Sequence, residues 1–140
     1  LFLGDSITDG WHWGNGGSEI WAGEFAPRHA ANFGIGYDQI QNVLWRVENG
    51  ELDGISPKVL ALLIGTNNLP QNAVFSENTV DDTFKGVKAI VDLLKQKAPD
   101  AHILLMAVFP REDKAVSSIP LDKIEPGIKL LGEILRRQMM

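Results

Sequence analysis

A serine in a short turn after an apolar segment is the first residue here that could do chemistry. Leu1–Leu3 is typical of a strand, and Gly4, Asp5 and Ser6 follow it directly. Such a turn presents the Ser6 hydroxyl at the carboxyl edge of a sheet, where it could act as a nucleophile. The alternative is structural, because Ser and Asp at such a turn commonly cap the following helix. Taken alone, Ser6 fits the structural reading.

Two further turns carry hydrogen-bond donors. Gly34–Asp38 follows the apolar segment Ala30–Phe33 and offers backbone N–H groups, and Gly65–Asn68 follows the apolar run Val59–Ile64 and offers side-chain amides. An asparagine at a strand end, such as Asn67, is by itself usually a turn former. Together, however, a serine and several donors at one sheet edge are the parts of an acyl-transfer site, where the donors stabilise a developing oxyanion.

The pattern of apolar residues predicts the parallel sheet that these turns require. Continuous apolar runs indicate buried strands, whereas apolar residues spaced by three and four indicate amphipathic helices. The predicted strands are Leu1–Leu3, Ala30–Phe33, Val59–Ile64 and Ile103–Phe109. The predicted helices are Ile40–Val47 closed by Gly50, Val80–Ala98 stopped by Pro99, and Pro126–Met140. This alternation predicts an α/β three-layer sandwich with a central parallel sheet and right-handed crossovers.

Composition excludes several classes of function. The 140 residues form one predicted domain, 1–140, and a formal net charge of -5 argues against a nucleic-acid groove. The sequence has no cysteine, and its three scattered histidines offer no metal-ligand spacing, so no metal or cofactor is expected. No apolar run approaches the ~20 residues that span a bilayer. Gln39 occupies the place of the third glycine of a dinucleotide loop, which argues against a Rossmann cofactor site.

The three turns, in this order, resemble three of the four sequence blocks of the SGNH (GDSL) hydrolases. The matching motifs are Gly-Asp-Ser-Ile, Asn-Phe-Gly-Ile-Gly-x-Asp and Gly-Thr-Asn-Asn. Within this superfamily the sequence is most similar to the catalytic subunits of platelet-activating-factor acetylhydrolase, through the run from Asn42 to Leu52 and through Val108-Phe109-Pro110-Arg111. The likeness covers essentially the whole chain and implies the flavodoxin-like SGNH fold.

The resemblance also implies a role for each matched residue. Ser6 corresponds to the nucleophile and its backbone N–H to the first oxyanion donor, while the Asn67 side chain corresponds to another donor. Tyr37 stands where the family typically has a glycine whose backbone N–H is the remaining donor. This departure leaves the donor role intact if Tyr37 adopts the required backbone angles, and its ring would then narrow or cover the pocket. Asp5 and Asp38 correspond to positions that shape the turns through side-chain to backbone hydrogen bonds.

The general base that the resemblance implies is missing from this chain. The family's fourth block supplies Asp-x-x-His near the C-terminus, and no Asp-x-x-His lies in that part of this sequence. His29 and His102 precede predicted strands and are expected at the amino edge, whereas His12 lies only six residues after Ser6. We therefore expect the 140 residues to be a fragment of a longer hydrolase, incomplete at both ends and stopping before the last strand. The isolated chain is accordingly expected to be poorly active or inactive.

The leading functional hypothesis is a serine esterase that removes a short acyl group, most simply acetyl, from a carbohydrate or lipid-like ester. The expected partner is a small-molecule ester, with no nucleic acid and no membrane span, and the sequence leaves open whether the chain forms a homodimer. A non-catalytic relative that uses the same pocket as a binding module is the alternative. A mononucleotide-binding domain is a third reading, weakened by the absence of a G-x-x-x-x-G-K-[ST] loop.

Overall fold

Four short strands form one parallel sheet in the computed structural model of the chain, which describes residues 1–14, 17–69 and 78–109. The strands are β1 (Phe2–Gly4), β2 (Asn32–Gly34), β3 (Val59–Leu63) and β4 (His102–Leu105). Their order across the sheet is β2-β1-β3-β4, and every neighbouring pair is parallel. This is the first part of the flavodoxin-like order, and it confirms the predicted fold class.

Strand register divides the apolar side chains between the two faces of the sheet. Leu3 pairs with Leu62 and with Phe33, so these side chains share one face. That face packs against helices α3 (Ile40–Glu48) and α4 (Val80–Lys97), which also contact each other, and it holds most of the hydrophobic core. On the opposite face the Phe2 ring contacts Trp21 and Phe25 edge-on, with centroid distances of 5.3 and 5.1 Å. Helical segments therefore lie on both faces.

A chain of short helical segments connects β1 to β2. Helix α1 (Ser6–Asp9) continues into a 3-10 turn (Gly10–His12), and α2 (Gly17–Ile20) continues into a π-helical segment (Trp21–Phe25) and a 3-10 turn (Ala26–Arg28). The sequence did not predict these segments, because they lack a sustained helical period. Aromatic packing stabilises them instead, since Phe25 contacts Phe2, Trp11 and Trp21.

Both long helices begin and end at residues suited to those positions. Thr79 and Asp82 form a reciprocal capping box at the start of α4, and the hydrogen bonds from Thr79 hold the pKa of Asp82 below its usual value. Helix α3 ends with Gly50 at φ +99° and with the Glu51 N–H donating to the Arg46 carbonyl at 3.0 Å. This Schellman geometry confirms the predicted end of the helix at Gly50.

The last predicted strand is shorter than its apolar run. The run Ile103–Phe109 predicted seven residues of strand, whereas the β4 ladder ends at Leu105, followed by one further hydrogen bond from the Met106 N–H to the Leu62 carbonyl. The reason is that β3, its partner, itself ends at Leu63 and turns away at Gly65. The predicted helix Pro126–Met140 lies outside the described residues.

Candidate active site

The register of the sheet brings the turns that contain Ser6, Tyr37 and Asn67 to one edge. Gly4 lies level with Gly34 on one side and with Leu63 on the other. Each strand then enters its turn within one or two residues, so Ser6, Tyr37 and Asn67 all follow the carboxyl ends of adjacent strands. Ligand sites of open parallel sheets form at such an edge.

The first turn is capped by Asp5 rather than by Ser6. The buried Asp5 carboxylate accepts a hydrogen bond from the Ile7 N–H at 2.9 Å, which makes Asp5 the N-cap of α1 and Ser6 its first residue. Helix geometry supplies no acceptor for the N–H of a first-turn residue such as Ser6. The expected turn-shaping role of Asp5 is therefore observed, and the reading of Ser6 as a cap is not supported.

Two glycines let this turn pack directly against the ends of its neighbouring strands. A Cβ at Gly34 would lie 2.2 Å from the Asp9 backbone nitrogen and 2.7 Å from the Thr8 carbonyl carbon. A Cβ at Gly4 would lie 2.4 Å from the Leu63 carbonyl oxygen. Because the opposing atoms belong mainly to the backbone, they cannot move aside without shifting α1 or the sheet. These glycines fix the position of α1, and with it Ser6, against β2 and β3.

We expect Gly34→Ala to lower the free energy of unfolding by about 2–3 kcal/mol, because the added methyl overlaps the backbone of α1. Gly23→Ala is the matched control, since nothing lies within 4 Å of a Cβ at that helical position. Urea denaturation of the two variants checks the difference. Equal stability of both variants would show that α1 is not held as described.

The second turn contains a residue with unusual backbone geometry. Tyr37 adopts φ +65°, in the left-handed region that non-glycine residues enter at a cost of roughly 1–2 kcal/mol. This is the position where the resemblance implied a glycine, and the geometry explains that preference. The Tyr37 side chain is 76% exposed, and it is not among the described residues that line the depression beside Ser6. The expectation that its ring narrows the pocket is therefore not met.

We expect Tyr37→Gly to raise the free energy of unfolding by about 0.5–1 kcal/mol. Relief of the left-handed strain exceeds the extra backbone entropy that glycine gains in the unfolded chain. Tyr37→Ala serves as the control, because it removes the ring but keeps the Cβ that causes the strain. Thermal unfolding of the three proteins distinguishes the two effects, and a Tyr37→Gly variant less stable than Tyr37→Ala would refute the strain argument.

The third turn is joined to the second by buried hydrogen bonds. The Asn67 side-chain amide donates to the Asp38 carbonyl at 2.8 Å, and the Gln39 side-chain amide donates to the Asn67 carbonyl at 3.0 Å. The Asn68 side-chain oxygen accepts from the Ile40 N–H at 2.8 Å. Asn67 and Asn68 are both buried. These bonds fix the plane of the Asn67 carboxamide and its distance from the second turn.

A cluster of charged residues lies beneath the second turn. The Arg46 guanidinium pairs with the Asp38 carboxylate at 2.7 Å, forms a salt bridge with Glu51 and donates to the Phe33 carbonyl at 3.2 Å. The side chains of Arg46, Asp38 and Glu51 are only 13%, 11% and 13% exposed. The expectation that Asp38 bonds to the backbone is wrong, because its carboxylate pairs with Arg46 eight residues later. That spacing follows no local turn pattern, so the sequence carried no signal for it.

An open depression of about 610 Å³ lies beside Ser6. Apolar and aromatic side chains dominate its lining, which comprises Ser6, Ile7, Gly10, Trp11, Trp13, Gly17 and Ile20. Trp13 and Ile20 are each about half exposed at 51%. Large exposed apolar side chains grouped around a polar residue are typical of a surface that binds an apolar or ring-shaped group.

The three histidines lie at different places relative to Ser6. His29 precedes β2 and His102 begins β4, so both lie at the amino edge, as the sequence predicts. His12 is exposed, and its ring contacts Trp21 edge-on at 5.7 Å. His12 is absent from the described lining of the depression, although its neighbours Trp11 and Trp13 belong to it.

Two general properties of the described residues bear on the kind of site. No cluster of three or more histidine, aspartate or glutamate side chains within residues 1–14, 17–69 and 78–109 could hold a metal ion. None of the helices in this part of the chain has the length and apolar character to cross a membrane.

Comparison with known proteins places this chain in a family. The family model described as GDSL-like Lipase/Acylhydrolase matches residues 2–137. Platelet-activating factor acetylhydrolase IB subunit alpha2 from Homo sapiens is 42% identical over 114 residues, covering 81% of this chain and 45% of that protein. The alpha1 subunit from Homo sapiens is 41% identical over 111 residues, covering 79% and 43%. The chain thus matches less than half the length of these relatives.

Solved structures agree at the level of the fold. A GDSL-like lipase from Bacteroides thetaiotaomicron superposes with a TM-score of 0.73 at 20% identity, covering 99% of this chain and 64% of that chain. An acetylxylan esterase from Geobacillus stearothermophilus has a TM-score of 0.57 at 20% identity, covering 97% and 72%. Because the family model matches residues 2–137, nearly the whole length, the chain belongs to the GDSL-like lipase/acylhydrolase family.

Proposed function

We propose that this chain carries the nucleophile and the oxyanion donors of a serine esterase that removes short acyl groups. Ser6 Oγ attacks the ester carbonyl carbon as its proton passes to a general base, and the carbonyl oxygen becomes an oxyanion. Collapse then expels the alcohol, which takes the proton from the base, and leaves an acyl-Ser6 ester. Water then attacks that ester, which releases the carboxylic acid and regenerates Ser6. The single observation that carries the proposal is the meeting of the three turns at one sheet edge, joined by the bond from Asn67 to Asp38.

Three donors are assigned to the oxyanion. The first is the Ser6 N–H, which lies at the start of α1, where the helix supplies no acceptor. The second is the Tyr37 N–H, in the left-handed turn, and the third is the Asn67 side chain. A carboxamide nitrogen carries two hydrogens, one of which Asn67 donates to Asp38, and we assign the other to the oxyanion. Removing one such donor typically costs ~10²–10³ in kcat.

We place the general base outside these 140 residues. An unassisted serine hydroxyl is a weak nucleophile at neutral pH. His29 and His102 lie at the wrong edge, and His12 contacts Trp21 rather than lining the depression. The chain also matches less than half of the relatives' length, so a further histidine has room in the natural protein. The isolated chain is therefore proposed to be poorly active.

The proposed substrate is a small ester with a short acyl group, most simply acetyl, on a carbohydrate or lipid-like alcohol. The name of the 42% identical relatives, an acetylhydrolase, supports a short acyl group. The depression beside Ser6 supports an alcohol with an apolar or ring-shaped part, because Trp11 and Trp13 line it and indole faces pack well on sugar rings and acyl chains.

Labelling with a fluorophosphonate probe tests this function in the natural full-length protein. The probe phosphonylates activated serines, so we expect one covalent adduct, at Ser6, which Ser6→Ala abolishes. Ser56→Ala is the matched control, because Ser56 precedes β3 at the opposite edge of the sheet. A folded protein that takes no label would instead favour the alternative, a non-catalytic relative that uses the depression for binding.

A further inference from the structure

We infer that Arg46 is a positioning residue that holds the second turn in the conformation needed for oxyanion stabilisation. The inference rests on the proposed function for its catalytic consequence. The claim that Arg46 holds the turn rests on geometry alone, because its guanidinium contacts both ends of the turn.

Arg46 contacts one residue on each side of the second turn. One nitrogen of the guanidinium donates to the carbonyl of Phe33, a residue of β2, at 3.2 Å. The other end pairs with the Asp38 carboxylate at 2.7 Å, immediately after Tyr37. The four residues 34–37 lie between these two anchors. The planar, rigid fork of arginine fixes the distance between them in a way that a flexible ammonium group would not.

Tyr37, the residue with the strained backbone, lies between these two contacts. A non-glycine residue at positive φ persists only where its surroundings determine the local backbone, and Tyr37 at φ +65° is such a residue. Tyr37 is 76% exposed. The anchors at Phe33 and Asp38, on either side of it, supply such a constraint.

Through Asp38, the contacts of Arg46 also affect the third turn. The Asp38 carboxylate is held by Arg46, while its carbonyl oxygen accepts the Asn67 side-chain amide at 2.8 Å. The orientation of the Asn67 carboxamide therefore depends on where Arg46 holds residue 38. Two of the three proposed oxyanion donors, at Tyr37 and Asn67, are thus positioned by a side chain that does not itself reach the substrate.

Glu51 is a second acidic partner of the mostly buried Arg46. An unpaired charge at 13% exposure would be costly, but two carboxylates face the guanidinium. The left-handed Gly50 ends α3 and reverses the chain, which brings Glu51 back to Arg46. The run from Arg46 to Glu51 therefore forms one local unit, in which Glu51 is a carboxylate partner of the guanidinium in addition to Asp38.

The test uses Arg46→Lys in the natural full-length protein, because lysine keeps the charge but cannot bond to both anchors. Arg28→Lys is the matched control, since Arg28 forms an exposed pair with Glu24 far from the turn. The first readout, independent of activity, is hydrogen exchange by NMR at the Tyr37 N–H and the Asn67 carboxamide. We expect exchange at both to accelerate by roughly tenfold or more in Arg46→Lys and to stay unchanged in Arg28→Lys.

The second readout is kcat per active site, counted by the burst of p-nitrophenol from p-nitrophenyl acetate. We expect kcat per site to fall roughly 10–100-fold with KM nearly unchanged, because the donors act mainly on the transition state. Loss of folded protein alone would lower the burst but not kcat per site. Unchanged exchange at Tyr37 and Asn67, or unchanged kcat per site while Asn67→Ala lowers it, would overturn the inference.

The measurements distinguish a failure of the proposed function from a failure of the role inferred for Arg46. If Asn67→Ala leaves kcat per site unchanged, the oxyanion assignment is wrong, and the exchange rates alone decide whether Arg46 holds the turn. Accelerated exchange in Arg46→Lys then still supports the positioning role, and unchanged exchange overturns it.

Discussion

Replacing Ser6 by alanine is expected to lower kcat by roughly 10⁵–10⁶-fold in the natural full-length protein, the scale seen when a serine nucleophile is removed from a triad enzyme. The reason is that no acyl-enzyme can form, so the reaction must proceed by direct attack of water. KM should change little, because the depression and the oxyanion donors remain in place. Initial rates with p-nitrophenyl acetate measure the loss.

The matched control for this substitution is Ser56→Ala, which removes a hydroxyl at the opposite edge of the sheet. It should leave kcat and KM at the parent values. A Ser6→Ala protein that is folded and retains a rate within about tenfold of the parent would show that another group is the nucleophile, or that the rate is not enzymatic.

Replacing Asn67 by alanine is expected to lower kcat per active site by roughly 10²–10³-fold, the typical cost of losing one oxyanion donor. The same change leaves the buried Asp38 carbonyl without the Asn67 amide, so the free energy of unfolding should fall by about 1–3 kcal/mol. Counting active sites by burst titration separates the loss of rate from the loss of folded protein. Urea denaturation measures the change in stability.

Asn67→Asp is a stricter test than Asn67→Ala, because it places a carboxylate where the oxyanion develops. We expect a larger loss of kcat than in Asn67→Ala, because the negative charge repels the oxyanion. Asn49→Ala is the control, since Asn49 is an exposed asparagine that donates to the Trp45 carbonyl in α3. Equal rates for Asn67→Ala and Asn49→Ala would remove Asn67 from the site.

The elements with a clear apolar period could be predicted from the sequence. Helix α4 was predicted through its apolar face and the stop at Pro99, and α3 through its face and Gly50. The buried strand β3 was found within one residue of its end. In these segments local propensity and tertiary packing favour the same structure, so one pattern suffices.

The segment from Gly17 to Arg28 could not be predicted in this way. Its short α, π and 3-10 pieces are stabilised by contacts of Trp21 and Phe25 with Phe2, which lies fifteen or more residues away in the sequence. Such contacts leave no periodic signal. The length of β4 was overestimated for a related reason, because the ladder ends where its partner β3 ends.

The three turns of the candidate site could be predicted from the sequence, whereas the contacts that join them could not. Ser6, Tyr37 and Asn67 were identified from three turns in order, and the sheet places all three turns at one edge. The bond from Asn67 to Asp38 and the pairing of Asp38 with Arg46 join residues 29 and 8 positions apart. These links depend on how the turns fold onto each other, and no single motif encodes them.

A crystal structure of the natural full-length protein after reaction with a fluorophosphonate tests the convergence of the three turns most directly. The predicted adduct has phosphorus bonded to Ser6 Oγ, with the phosphoryl oxygen about 2.7–3.1 Å from the Ser6 nitrogen, the Tyr37 nitrogen and Asn67 Nδ2. A phosphoryl oxygen that faces solvent, with Asn67 and Tyr37 out of hydrogen-bonding reach, or an adduct on a different residue, would contradict the account.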